Sequence, residues 1–297
     1  MKIALGLPES LQSTTRTLLA VEMPDATVVP WQDAADGAVL LIAPHEYEPQ
    51  ERRELLTARA WSWVHLTSAG TDFVDLPSWP EEIILTRSWR SYAAPLAEYA
   101  LAAMVTHEWA GRAPWDSASA SRGGLWGAKV GVAGWGAVGR RVAGVCAALG
   151  SSVTVFSRTP RGGAERIAHT TQRDQLLGVD HLVVALPLTD ATRNLFDRGF
   201  LDDAKPGMHL VNVARAGLVD QTRLMSLCGR GRLSATLDVA DPEPLPADHP
   251  LRTFPSVRYS PHTAWSSRDS QFAFVEDFTT AARAIEHGDP QIPGRVR

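Results

Sequence analysis

The sequence predicts an α/β protein of two domains, the larger built on a doubly wound parallel sheet, and three observations carry that prediction. The first is the stretch Lys129 to Thr159, KVGVAGWGAVGRRVAGVCAALGSSVTVFSRT, which reads as strand, glycine turn, helix and second strand. The second is the alternation of short apolar runs with helical segments on either side of it. The third is length, since 297 residues allow two domains that each bury a core of their own.

Within the central stretch, Val130, Val132 and Ala133 suit a buried parallel strand. Gly134, Gly136 and Gly139 follow in G-x-G-x-x-G spacing, with Ala137 and Val138 inside the motif. The first glycine permits the tight turn, the second lets the backbone approach a pyrophosphate, and the third lets the helix pack closely on the strand. Phosphates would sit on the helix N-terminus, where backbone N–H groups and the dipole favour an anion. A glycine triplet by itself is weak evidence. Here the preceding strand, the helix positions Val142, Val145 and Leu149, and the second strand Val153 to Phe156 all agree, so the stretch reads as a nucleotide cradle.

From Lys129 onward, strands are expected at 129–134, 153–157, 181–187, 208–213, 234–239 and 257–260, six in all, with helices between them. Ahead of them, apolar runs at 2–6, 26–30, 39–43, 61–66 and 83–86, with helical segments at 9–21 and 49–59, make a smaller α/β unit. Its Ser68-Ala69-Gly70-Thr71-Asp72 loop is a turn whose small residues leave backbone N–H groups open to a carboxylate. Tyr92–Arg112 is alanine-rich and reads as a long buried connector helix, in which Glu98 is a cap or interface partner. The loop after it, 113–124, carries Trp115, read as a packing or subunit contact. A last helix over 267–287 places Phe272, Val275, Phe278, Ala282 and Ile285 on one face and returns to the first unit. The expected division is therefore 1–91 with 266–297 as one domain and 92–265 as the other.

Composition narrows the partners. With 44% hydrophobic and 21% charged residues and a net charge of −4, the chain has the profile of a globular protein without a footprint for nucleic acid or an anionic membrane. Cys146 and Cys228 fall in predicted helices, so neither a disulfide framework nor a metal site is expected. No apolar run reaches transmembrane length and MKIALGLPES lacks an adequate signal-peptide core, so a cytoplasmic location is expected.

An NAD-selective cradle normally carries Asp or Glu at the end of the second strand, to hold the ribose hydroxyls. Here Phe156 is followed by Ser157-Arg158-Thr159, with Arg161 close behind. A carboxylate repels a 2′-phosphate whereas a guanidinium pairs with it, which favours NADP(H), with NAD(H) as the second candidate.

Three further stretches hold residues that packing does not explain: Val211-Asn212-Val213-Ala214-Arg215, Leu237-Asp238-Val239-Ala240-Asp241-Pro242-Glu243-Pro244, and Ser260-Pro261-His262-Thr263-Ala264-Trp265. Each follows a predicted strand, at the edge where open α/β sheets bind ligands. With the Ser68–Asp72 loop, the glycine turn and Leu186-Pro187-Leu188-Thr189 plus Thr192, this ordered set resembles the D-isomer-specific 2-hydroxyacid dehydrogenases over most of the chain.

The resemblance implies a Rossmann domain plus a smaller flavodoxin-like substrate domain, and an NAD(P)-dependent hydride transfer between the cofactor and a small 2-oxo acid to give a D-2-hydroxy acid. In that reading Arg215 holds the substrate carboxylate and polarises the carbonyl, with backbone N–H groups at Ala69 and Gly70 on the same carboxylate. His262 is the acid that protonates the carbonyl oxygen, and Glu243 hydrogen-bonds the imidazole to keep it charged for reduction. Gly134, Gly136, Ala137, Val138, Gly139, Ser157, Arg158, Thr159, Pro187, Thr192, Val213 and Asp238 would contact the cofactor. Ser157-Arg158 and Trp265 resemble the glyoxylate/hydroxypyruvate reductases of the family, and a homodimer is implied. Ala216 departs from the glycine that commonly follows the arginine.

Two alternatives stay open at this point. Phosphite-type dehydrogenases share the architecture, and nucleotide-sensing regulators of the C-terminal-binding corepressor type keep the fold without turnover. Formate dehydrogenases usually carry Gln in place of Glu243, which argues against that chemistry.

Overall fold

A computed structural model describes residues 1–76, 79–109, 123–159, 161–267, 270 and 272–296. They fall into two compact units, Met1–Tyr92 with Ser267–Arg297, and Ala93–Ser266.

In the first unit five strands, β1 (Lys2–Gly6), β2 (Thr27–Pro30), β3 (Val39–Ile42), β4 (Trp63–Leu66) and β5 (Ile84–Arg87), form a parallel sheet in the order β2-β1-β3-β4-β5. That is the flavodoxin-like order. β3 and β4 are buried at every position, as strands covered on both faces must be. One face receives α1 (Glu9–Glu22) and α7 (Phe274–Glu286): Leu19, Phe274 and Phe278 cluster with Ile3, Leu5 and Leu41. The Phe278 ring stacks on Trp63 at 4.7 Å. The other face takes Leu55 of α2 (Pro49–Thr57) against Leu40, Val64 and Leu85.

Helix α7 begins at Phe274, later than the expected 267. Ser267 and Ser270 instead bond each other's backbone, Ser267 N–H donating to Ser270 Oγ at 2.7 Å and Ser270 N–H to Ser267 Oγ at 3.1 Å. Serine hydroxyls compete with helix in this way. Within α7 the carboxylate of Asp277, 2% exposed, accepts the backbone N–H groups of Trp89, Arg90 and Ser91, each at 3.0 Å, and the Ser91 hydroxyl.

The second unit holds a seven-stranded parallel sheet in the order β12-β11-β10-β9-β6-β7-β8. Its strands are β6 (Lys129–Ala133), β7 (Ser152–Phe156), β8 (Ile167–Thr170), β9 (His181–Val184), β10 (His209–Asn212), β11 (Ser234–Leu237) and β12 (Val257–Tyr259). The six strands expected are thus one short. Ile167–Thr170 was missed because it is an edge strand paired on one side only, and IAHT lacks the continuous apolar run of the inner strands.

Helices α3 (Ala93–Glu108) and α4 (Ala137–Ala148) cover one face, with Ala100 and Met104 against Val130, Val132 and Val142. Helices α5 (Arg198–Asp203) and α6 (Gln221–Gly229) cover the other, with Phe200, Leu224 and Leu227 against Val184, Leu210 and Ala235. Trp115 and most of the 113–124 loop lie outside the described residues. The winding reverses between β6 and β9, which creates the switch point where such sheets bind ligands.

At the N-terminal edge of this sheet, His181 and His209 open β9 and β10 and meet His107 from the last turn of α3. The His107 and His209 rings stack at 4.3 Å, the Nδ1 atoms of His181 and His209 are 3.3 Å apart, and His209 Nε2 is 2.9 Å from Thr236 Oγ1. Glu108 Oε1 is 2.9 Å from His181 Nε2 but off the line of a hydrogen bond. Burial, then the charge of His107 and Lys205, pushes His181 down to about 4, with Asp180 opposing. Burial, then His107, His181 and Arg258, holds His209 well below the imidazole range, and burial with Arg258 lowers His107.

These rings are neutral in the fold, whereas in the unfolded chain they take protons near pH 6.5. Stability from this cluster is therefore complete above that value and declines as pH falls through the interval down to about 4. The urea midpoint is expected to drop between about pH 7 and about pH 5, above most carboxylate titration. In His181→Gln the drop should be shallower, and a midpoint equally steep in the variant would remove His181 as a cause.

Candidate active site

Every candidate residue of the second unit lies at the C-terminal edge of its sheet. Across that edge, from β12 to β8, come His262, then Asp238 and Glu243 beyond β11, Val213 and Arg215 beyond β10, and Pro187 beyond β9. The glycine turn follows β6, and Ser157 to Thr159 follow β7.

The glycine turn has the shape its spacing implies. A Cβ on Gly134 would come 2.4 Å from the Ala185 carbonyl oxygen, and one on Gly139 would come 2.1 Å from that of Gly134. Both obstacles are backbone, so no rotamer change relieves them. Gly134 also has φ +114°, a region L side chains avoid. By contrast a Cβ on Gly136 would meet nothing within 4 Å. Backbone is thus tightly packed on two sides and open at the helix start, which fits a pyrophosphate. Gly139→Ala is expected to cost about 1–3 kcal/mol by overpacking. Denaturant unfolding with nucleotide titration checks this, and unchanged stability and binding would show that the turn yields without consequence.

Arg215 is half-buried in a turn shaped by Asn212, which is 1% exposed. Asn212 Nδ2 donates to the Arg215 carbonyl at 2.9 Å and its Oδ1 accepts from Ala214 N–H at 3.0 Å. The guanidinium Nη1 donates to the Ala214 carbonyl at 2.8 Å.

Asp238 organises the turn beyond β12. Its carboxylate Oδ1 accepts from the Ser260 hydroxyl at 2.7 Å and from the N–H groups of Thr263 and Ala264 at 2.9 and 3.0 Å. Its backbone carbonyl accepts from His262 N–H at 2.8 Å. These bonds hold His262 at φ +55°, an uncommon backbone state for a residue with a side chain. The other carboxylate oxygen, Oδ2, is buried with no hydrogen-bond partner. A buried acceptor left open on the same sheet edge as the glycine turn, three strands away, fits a donor such as a carboxamide NH₂. With the glycine cradle, it shows that the residues present suit a nicotinamide dinucleotide.

His262 Nδ1 lies 2.6 Å from Glu243 Oε1, with the two side chains about one-third exposed at 37% and 34%. The pair is therefore reachable from solvent, and Glu243 as acceptor assigns the hydrogen to Nδ1. The bend that carries Glu243 is held by Gln221, whose Oε1 accepts from Asp241 N–H at 2.9 Å. Tyr99 OH is 2.6 Å from Ser260 Oγ and extends the Asp238 network to α3. Gln221, Tyr99 and Ser260 were not singled out in the sequence, since no local motif marks a residue that acts through another.

Toward β8, the Ser157 hydroxyl donates to the Thr159 carbonyl at 3.0 Å, Arg158 is exposed, and Thr192 Oγ1 donates to the Pro187 carbonyl at 2.7 Å. In the first unit, Ala69 and Gly70 follow β4. The Ser68 hydroxyl donates to the Gly70 carbonyl at 2.9 Å and Arg87 donates to that of Ala69. Among the described residues no group of His, Cys, Asp and Glu is placed to hold a metal, and no helix is long and apolar enough to cross a membrane.

Comparison with known proteins gives this geometry a family. The family model for the NAD binding domain of D-isomer specific 2-hydroxyacid dehydrogenases matches residues 96–264, more than half of the chain. A glyoxylate reductase of Aeropyrum pernix is 34% identical over 151 residues, 50% of this chain and 45% of that protein. A D-3-phosphoglycerate dehydrogenase of Mycobacterium leprae is 30% identical over 291 residues, 93% of this chain and 52% of that protein. The chain thus spans about half the length of the curated relatives it matches. The crystal structure of an NADPH-dependent glyoxylate/hydroxypyruvate reductase from Sinorhizobium meliloti superposes with a TM-score of 0.82, covering 99% of this chain and 98% of that one. At 23% identity, that likeness speaks for the fold. From glycine turn to histidine turn, the chain belongs to the D-isomer specific 2-hydroxyacid dehydrogenase family.

Proposed function

We propose that the protein is an NADPH-preferring reductase of small 2-oxo acids, giving D-2-hydroxy acids, with glyoxylate and hydroxypyruvate as the leading substrates. The observation that carries this reading is the 2.6 Å contact between His262 Nδ1 and Glu243, which turns Nε2 into the proton-handling atom at the strand edge.

Residues 93–266 serve as the dinucleotide-binding domain and the remainder as the substrate domain. Bound NADPH supplies the hydride. His262 delivers the proton from Nε2 to the carbonyl oxygen, and Glu243 stabilises the charged ring before transfer. Arg215 takes the substrate carboxylate through its planar donors, and the backbone N–H groups at Ala69 and Gly70 are substrate ligands that the family resemblance implies. Asp238 Oδ2 would accept from the carboxamide of a bound nicotinamide and so help to hold it. The absence of a carboxylate at Ser157-Arg158 supports the cofactor preference. The similarity to glyoxylate and glyoxylate/hydroxypyruvate reductases supports the substrate choice. A cytoplasmic homodimer completes the reading.

The test is loss of reduced-nicotinamide absorbance with NADPH or NADH crossed against glyoxylate, hydroxypyruvate, pyruvate and longer 2-oxo acids, with D-3-phosphoglycerate in the oxidative direction. Fast NADPH oxidation by glyoxylate or hydroxypyruvate supports the proposal. Turnover confined to D-3-phosphoglycerate would replace the substrate, and tight cofactor binding without turnover would move the protein to the regulator class.

A further inference from the structure

Beside the glycine turn, the second unit carries a small polar hollow of about 250 Å³ lined by Arg161, His169, Thr170, Thr171, Gln172 and Gln175. Its place in the fold follows from strand register. Ala133 pairs with Phe156, and Phe156 with Thr170, so the ends of β6, β7 and β8 are level. The residues after β8 therefore stand two strand spacings, about 10 Å, from the glycine turn and one spacing from Ser157. Trp135, between the first two glycines, sets its ring edge-on to His169 at 4.5 Å and 89°, which ties the turn to the hollow.

The chemistry of the lining is that of a phosphomonoester site. Arg161 brings the positive charge, and the Thr171 hydroxyl and the glutamine amides add neutral donors, whereas the Thr170 hydroxyl donates to the Gln172 carbonyl at 3.4 Å. His169 Nδ1 is buried without a hydrogen-bond partner. A bare lone pair is cheaper to bury there than an N–H, so the ring hydrogen belongs on Nε2. Burial, and then the Arg161 charge, holds the His169 imidazolium below its ordinary range, and the ring acts as a neutral donor. Ser157, by comparison, has committed its hydroxyl hydrogen to Thr159.

We propose that this hollow receives the ribose 2′-phosphate of the cofactor, with Arg161 as the charged ligand and His169, braced by Trp135, as a neutral donor that determines NADP over NAD. The inference rests on the reading of residues 93–266 as an NADP(H)-binding unit.

The experiment is calorimetric titration of the intact protein with 2′,5′-ADP and with 5′-AMP, for wild type, Arg161→Gln, His169→Phe and Arg158→Gln. The wild type is expected to prefer 2′,5′-ADP. Arg161→Gln should weaken 2′,5′-ADP roughly 10- to 100-fold, as loss of a charge-assisted contact does, with 5′-AMP unchanged. His169→Phe keeps the ring against Trp135 and removes the N–H, so its loss should be about threefold to tenfold and again confined to 2′,5′-ADP. Unchanged 5′-AMP affinity reports an intact cradle in each variant. Equal binding of the two nucleotides by wild type would overturn the phosphate site and leave the cradle standing. A preference abolished by Arg158→Gln and untouched by Arg161→Gln would also overturn it. Binding of neither nucleotide would overturn the cofactor reading itself, and this inference with it.

Discussion

Replacing His262 by alanine is expected to cut turnover roughly 10²- to 10⁴-fold while cofactor affinity stays at the wild-type value, the usual size of a general-acid contribution. The separation follows from the bonding of the turn. Asp238 Oδ1 grips the backbone of Thr263 and Ala264 and the Ser260 hydroxyl, none of which depends on the imidazole. The left-handed backbone at position 262, φ +55°, does carry a local effect, because alanine is no better suited to it than histidine. His262→Asn tolerates that conformation better and should lose as much activity with less change in stability. Steady-state rates with NADPH and the best 2-oxo acid, together with cofactor titration, read both quantities. Full activity in either variant would remove His262 from proton transfer.

Asp277→Ala carries the largest expected effect on stability, about 3–5 kcal/mol. The carboxylate is 2% exposed and accepts three backbone N–H groups and the Ser91 hydroxyl, with Arg90 Nε at 3.5 Å from its second oxygen. Alanine would leave those part-buried donors without their shared acceptor, and an unmade hydrogen bond away from water costs more than a made one contributes. Asp277→Asn keeps one acceptor oxygen and should fall between wild type and alanine. Urea unfolding followed by tryptophan fluorescence measures the series. A loss below about 1 kcal/mol in the alanine variant would mean that water or a shifted backbone replaces the carboxylate.

What could be read in advance differs by kind of signal. The β6 to β7 segment was legible because three constraints coincide there: buried-strand periodicity, glycines where backbone meets backbone, and an apolar helix face. The strands β1, β3, β9 and β10 announced themselves by apolar runs, as buried parallel strands do. β8 did not, because Ile167–Thr170 has a partner on one side only and shows solvent-tolerant residues. The start of α7 was misplaced because Ser267 and Ser270 bond each other, a choice invisible to helical periodicity.

At the site, Arg215, Glu243 and His262 stood out as charged or titratable residues just past strands. The residues that hold them did not. Gln221, Tyr99 and Ser260 are ordinary in sequence, and only the fold brings Gln221 to Asp241 or Tyr99 to Ser260 across 161 positions. The orphaned oxygen of Asp238 is likewise a property of three-dimensional packing.

The level strand ends of the second sheet have a consequence for redesign. In the proposed reading, proton handling and carboxylate recognition sit beyond β10, β11 and β12, whereas the residues that would face the far end of the dinucleotide sit beyond β7 and β8, with β9 and β6 between them. Ser157 bonds within its own loop, Asp238 and His262 bond within theirs, and substitutions at well-separated positions combine additively. If the proposed reading holds, cofactor choice and substrate choice are expected to be modular in this scaffold. Libraries at positions 158, 161 and 169 can be crossed with libraries around 215 and 243, and each winner is expected to keep its gain in the other's background.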